Sequence, residues 1–266
     1  MFYCLDETRF THTLKKQIVS LIIDIDTNGR QTSTKDVNVI LFTQILSTFT
    51  NLQSLKFVDG RFNQLRILHV HINLISSSRI IIDNKKNLPN LRTVSLQCDM
   101  STTYYDELIV PLLHRMIDLE QLDLSLFVCG RKTFVDGYDL NRNVIDHMAQ
   151  LNTFTFNIRS ESRFYNKVNL PSNEDIQKTF KNFKNNKIIS CVDYFQDMNY
   201  NQCHIYSQPY KLKHYHNITN KFSRGLFICV REVSLFDERP FEHEFFLLIQ
   251  KSFPLMENLT VINRKR

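Results

Sequence analysis

A nine-residue segment recurs down this chain and constrains its folding more than any other feature. It appears as FTNLQSLKF from Phe49, LPNLRTVSL from Leu88, MIDLEQLDL from Met116, MAQLNTFTF from Met148 and FPLMENLTV from Phe253. Each copy is an apolar residue, two residues that are mostly small or polar, and then the frame L-x-x-L-x-L with Met, Val or Phe at some of its leucine positions. A self-similar unit of this size cannot bury its apolar edge alone and must stack on a neighbour, which is how solenoid proteins are built. Aligning all copies places the leading position of the frame at Ile18, Leu52, Leu65, Leu91, Leu119, Leu151, Ile189, Val230 and Met256. The spacings run from 13 to 41 residues, and several fall in the range of leucine-rich repeats.

The last two apolar residues of a frame, such as Leu122 and Leu124, lie two apart and share one face of a strand. The residues between them face the other way. The pattern therefore predicts parallel strands with one buried and one exposed row, near 18–24, 52–58, 65–72, 91–97, 119–125, 151–158, 189–195, 230–236 and 256–262. Between frames the period becomes helical: Val37–Phe49, Tyr104–Met116, Asn141–Met148, Glu174–Phe183 and Phe241–Phe253 are the helix candidates. Pro111 should kink or shift the second of these, and Ser172 with Asp175 has the spacing of a capping box. The residue three places before the frame (Phe49, Phe62, Leu88, Met116, Met148, Phe253) reads as the last helical turn folding over the strand entry. The expected fold class is α/β, an irregular leucine-rich-repeat solenoid with a curved parallel sheet inside and helices outside, in one domain over 1–266. An irregular insertion with one or two extra strands is expected at 185–224.

With 266 residues, 42% of them hydrophobic, the chain can bury a substantial core. Its net charge of +6 gathers in short runs (Lys181, Lys184, Lys187; Arg264, Lys265, Arg266) that read as solvated surface, so no nucleic-acid partner is expected. The six cysteines show no C-x-x-C pair and no zinc spacing, which fits buried reduced thiols. The N-terminus lacks a secretory h-region, and no stretch approaches the roughly 20 apolar residues of a membrane span. No membrane partner is expected, and the expected location is cytoplasmic or nuclear. The N-x-T sequons at Asn217 and Asn258 would matter only after secretion.

Catalytic and cofactor signatures are weak. Asp24, Asp26, Asn28 and Gly29 begin like a calcium loop, but the closing position holds Lys35, which repels calcium, so a turn is the better reading. His69 with His71, and His214 with His216, sit two apart and could each offer two imidazoles to a metal, yet no third ligand is identifiable. No G-x-S-x-G, P-loop, dinucleotide fingerprint or H-E-x-x-H occurs, and 5 glycines leave no phosphate cradle. No catalytic, cofactor or metal residue is assigned, and the chain is read as a non-enzyme. The exposed strand row is instead the candidate partner-binding face: Lys56, Ile67, His69, His71, Thr93, Ser95, Gln97, Gln121, Asp123, Ser125, Thr153, Thr155 and Asn157. This row is mainly short and polar and suits hydrogen bonding across a broad surface, although any concave sheet face must also be polar to stay wetted.

From Phe49 to Val261, the stretches PLLHRMIDLEQLDLSLFV, FVDGYDLNRNVIDHMAQLNTFTFNI, NEDIQKTF, VDYF and FEHEFFLLIQKSFPLMENLTV resemble the irregular repeat region of the F-box and leucine-rich-repeat proteins. In that family an N-terminal F-box docks on the Skp-type adaptor of a cullin ubiquitin ligase, and the repeats capture the substrate. The resemblance implies a substrate receptor that binds a protein partner. The chain departs from the family in showing no L-P-x-E-like helix start before the strand-like Ile18–Ile25, so a Skp-type adaptor is a partner only if an F-box is encoded upstream. Asn73 holds the place of the Asn ladder, while Asp99, Phe127 and Arg159 stand at the matching positions of other copies. The alternative is a leucine-rich-repeat regulator or inhibitor with no ubiquitin role.

Overall fold

The computed structural model describes residues 20–24, 66–72, 75, 91–162, 170–181, 183, 187–222 and 224–263. The chain divides into two compact units, the first holding Met1–Cys129 and Tyr138–Ile158, the second Gly130–Gly137 and Arg159–Arg266. The expected Val37–Phe49 helix and 52–58 strand lie outside the described residues.

In the first unit the strands follow the frame. β1 (Ser20–Asp24), β2 (Ile67–Ile72), β3 (Thr93–Thr102), β4 (Gln121–Val128) and β5 (Thr153–Ser162, its last four residues assigned to the second unit) are neighbours in that order. The first four pair in parallel. Burial alternates as the spacing requires: Leu68, Val70, Val94, Leu96, Leu122, Leu124, Phe154 and Phe156 are buried, and the residues between them are not. The described connections from β3 to β4 and from β4 to β5 carry short helices. Between β3 and β4, a π turn (Tyr105–Ile109) leads into α1 (Val110–Leu113). Pro111 lacks the amide that would continue the ladder, and just before it the Tyr104 carbonyl accepts from both Leu108 N (2.9 Å) and Ile109 N (3.3 Å). Before β5 come α2 (Gly137–Asn143) and a 3₁₀ turn (Ile145–His147).

The apolar residue three places ahead of the frame has a backbone cause. In three described copies the amide of the leading residue donates to its carbonyl: Leu119 N to Met116 O (3.2 Å), Leu151 N to Met148 O (3.0 Å) and Met256 N to Phe253 O (3.1 Å). A three-residue turn thus folds the helix end onto the strand entry, and Met116, Met148 and Phe253 are all buried there. Phe49, Phe62 and Leu88 lie outside the described residues.

The second unit departs from the repeat and overturns the solenoid. β6 (Ile188–Phe195) runs antiparallel to β7 (Tyr200–Ser207), and β7, not β6, lies beside the end of β5. Only Gln196–Asn199 join β6 to β7, too few residues for the crossover a parallel pair needs, and Asn199 takes the left-handed φ of 52° that closes the tight turn. β8 (His214–Ile218), β9 (Glu232–Asp237) and β10 (Asn258–Asn263) form a separate three-stranded parallel sheet in the order β10-β9-β8. The architecture is therefore a mixed α/β fold with a partly antiparallel sheet and a small parallel one, with short helices. It is not a leucine-rich-repeat solenoid. Within the stretch at 185–224, β7 and β8 are the strands additional to β6.

Two helices complete this unit. α3 (Asn173–Lys178) opens with a full capping box: Ser172 Oγ accepts from Asp175 N (3.1 Å), and Asp175 Oδ2 accepts from Ser172 N (3.1 Å). α4 (His243–Ser252) turns Phe245 and Ile249 into a core shared with Tyr206, Tyr210, Tyr215, Phe227, Val233, Leu235 and Phe253. That core is unusually aromatic, with Phe227 and Phe253 stacked at 4.8 Å between ring centroids. Among the described residues, no helix is long and apolar enough to cross a membrane.

Candidate interaction face

One carbonyl at each strand entry sets the level of the next strand. Arg66 O accepts from Arg92 N (2.8 Å) and Thr93 N (2.9 Å), Arg92 O from Glu120 N (2.8 Å) and Gln121 N (2.9 Å), and Glu120 O from Asn152 N (2.9 Å) and Thr153 N (3.1 Å). The strands consequently share one register. Ile67, Thr93 and Gln121 line up in a first row, His69, Ser95 and Asp123 in a second, and His71, Gln97 and Ser125 in a third. On β5, Thr153, Thr155 and Asn157 alternate with buried Phe154, Phe156 and Ile158. Gln121 and Thr153 are exposed and the others half-buried, so the polar residues form a lattice with spacings of about 4.8 Å across strands and about 7 Å along them. Lys56 lies outside the described residues.

At one end of this lattice the alternation breaks. Asp99 and Met100 are both exposed, and the β3–β4 register shifts between Gln97 and Ser101, the mark of a bulge. A bulge re-aims a side chain, and here the Asp99 carboxylate accepts from Gln97 Nε2 (3.0 Å) and lies 2.8 Å from His71 Nε2. Asp99 thereby orients one imidazole of the His69/His71 pair. Among the described residues no group of three His, Cys, Asp or Glu side chains is placed to hold a metal. The other pair, His214 and His216 on β8, stacks its rings at 4.8 Å. Asp24 closes β1, and the rest of the calcium-like motif lies outside the described residues.

The rim carries residues that the repeat pattern alone did not single out. Arg92 donates from Nη1 to Asp118 O (2.9 Å) and places Nε 3.3 Å from Glu120 Oε1. Arg231 does the same one sheet later, with Nη1 at 3.1 Å from Leu255 O and 3.6 Å from Glu257 Oε1. The signal was present as Arg after the leading apolar residue in one copy and Glu at the same place in the next: LRTVSL then LEQLDL, VREVSL then MENLTV. These pairs are substantially exposed and add little stability, but each ties one strand entry to the next.

The second unit buries a different polar set. Asp193 on β6 is almost fully enclosed, and desolvation raises its carboxyl above the usual range against the pull of Thr219 and Lys221. Cys191 Sγ lies 3.5 Å from Asp193 Oδ2, and burial, then this carboxylate, pushes the thiol well up. A thiol held protonated beside an acid is a poor nucleophile, so this pair has the chemistry of a packed polar core. His204 on β7 is buried too, and burial, then Arg159 and His216, hold its imidazole well below the ordinary range. None of these groups combines an activated nucleophile with an oriented base.

No family model, curated protein or solved structure matches this chain.

Proposed function

We propose that this chain is a non-enzymatic protein-binding module whose docking surface is the polar face of β2–β5. One observation carries the reading: three in-register rows of side chains, polar except for Ile67, stand on one face of strands whose other face buries Leu68, Val70, Val94, Leu96, Leu122, Leu124, Phe154 and Phe156. The described face carries His and Asp with neutral donors and acceptors, and no cluster of Lys or Arg that would favour phosphate. Its partner is accordingly a folded or extended protein surface that offers amides, hydroxyls and carbonyls at strand spacing. A role as substrate receptor of a cullin ligase rests on the family resemblance alone, and co-purification of a Skp-type adaptor is its separate test.

The experiment is affinity capture with the wild-type chain and with Ser95→Arg/Ser125→Arg, which raises two long cations from the centre of the lattice. A protein retained by the wild type, lost from the double variant and kept by a variant elsewhere, such as Lys251→Ala on α4, supports the reading. A partner that binds the double variant equally well refutes it, provided the two proteins melt at the same temperature.

A further inference from the structure

The last copy of the frame differs from the others in what covers it. In register with β9, Leu259 sits beside Val233 and Val261 beside Leu235. Val233 and Leu235 are 2% and 0% exposed, whereas Leu259 and Val261 are 40% and 47% exposed, and Ile262 on the opposite face is 39% exposed. β10 pairs with β9 along one edge, and among the described residues no strand lies along the other. Edge strands in monomeric proteins are blunted by a charge, a proline or a bulge. The stretch Asn258–Asn263 has no charge and no proline, and it pairs with β9 without a shift.

We propose that β10 is a self-association edge, at which a second copy of this chain adds its own β10 antiparallel and joins two three-stranded sheets into one. Charge selects this occupant and this direction. The strand is bounded by Glu257 on its N-terminal side and by Arg264, Lys265 and Arg266 on its C-terminal side. In chain order, antiparallel pairing opposes the acidic flank of one copy to the basic flank of the other, whereas parallel pairing would oppose like flanks. A two-fold axis perpendicular to the sheet places one residue opposite itself. Centred on Thr260, it sets Leu259 against Val261 of the second copy, twice, on the face left open. Centred on Val261, it would set Leu259 against Asn263 and exchange the two Leu–Val pairs for a single Val261–Val261 pair. The contact is isologous and closes at two copies.

Sedimentation velocity of the full chain over a concentration series tests this. The wild type is expected to form a dimer and nothing larger, and Val261→Lys, at a half-exposed position, to weaken it about 25-fold by removing both Leu–Val pairs. In a Cys229→Ser background, Thr260→Cys is expected to cross-link to its copy with a short bismaleimide, while Glu257→Cys is not. This readout decides the matter should Val261→Lys lose its fold. A wild type monomeric at about 100 μM, a dimer untouched by Val261→Lys, growth beyond two copies, or cross-linking through Glu257→Cys instead of Thr260→Cys would overturn the proposal.

Discussion

Leu122→Ala and Ser95→Ala probe the two faces of the same strands. Leu122, the second residue of β4, is 0% exposed and in register with buried Val94. Truncation removes three carbons, about 2.4 kcal/mol of transfer free energy at ~0.8 kcal/mol each, and the cavity left in a strand pinned on both sides raises the loss to about 3–4 kcal/mol. For a chain of this size that corresponds to a fall in Tm of roughly 10 °C. Ser95, on the polar row beside His69 and Asp123, should change stability by no more than ~0.5 kcal/mol. Urea denaturation followed by far-UV circular dichroism measures both, with an unchanged m-value showing that the native state alone is affected. Equal losses, or a loss below about 1 kcal/mol for Leu122→Ala, would show that the assignment of faces is wrong. Leu122→Asp, which places a charge in the same row, should prevent the first unit from folding.

Gly137→Ala should destabilise by about 1–3 kcal/mol by overpacking, opposite in sign to the usual helical gain, because an added Cβ would lie 2.4 Å from Thr179 O; a urea titration that shows stabilisation would refute the contact. His204 is held neutral when folded and takes up a proton below about pH 6.5 when unfolded, so its contribution is complete above that pH and is lost as pH falls, at up to ~1.4 kcal/mol per pH unit. His204→Gln should flatten the slope of stability below pH 6.5, and an unchanged slope would assign it elsewhere. In native protein, iodoacetamide should modify exposed Cys229 well before Cys98 or Cys203, since burial pushes the Cys98 thiol up to about 12 and the Cys203 thiol up as well; peptide mapping that finds Cys98 labelled first would contradict the packing of β3.

What could be read in the sequence, and what could not, follows from what a frame encodes. Residues two apart share a face, so the buried and polar rows of β2, β3, β4 and β5 were legible, as was the capping box at Ser172. The same rule says nothing about which strand lies alongside. IISCVDYF satisfies the frame as well as LRTVSL does, yet its partner is set by the four residues that follow it, and these permit only a hairpin. The polar face was legible to the same extent. Its rows follow from alternation, but Asp99 reaches His71 only because a bulge interrupts that alternation, and a bulge leaves no periodic trace. The Arg92–Glu120 link was readable in principle, as a charge exchanged between consecutive copies at one position.

The division of labour between the two rows explains why a binding face and a repeat coexist in the first unit. Strand-entry carbonyls and the apolar row set the register there, so most positions of the polar row can take a side chain that tolerates a half-buried strand position. The positions are filled chiefly by Ser, Thr, Asn, Asp and His, which have few rotatable bonds. Immobilising them costs less conformational entropy than ordering the long chains of Lys, Arg, Glu or Gln. A pre-aligned lattice of such groups can pair with a protein partner at little ordering cost. By the same argument the affinity of the face should depend on register more than on any one polar residue, and single alanine substitutions across it should each weaken binding modestly, whereas a register shift between β3 and β4 should abolish it.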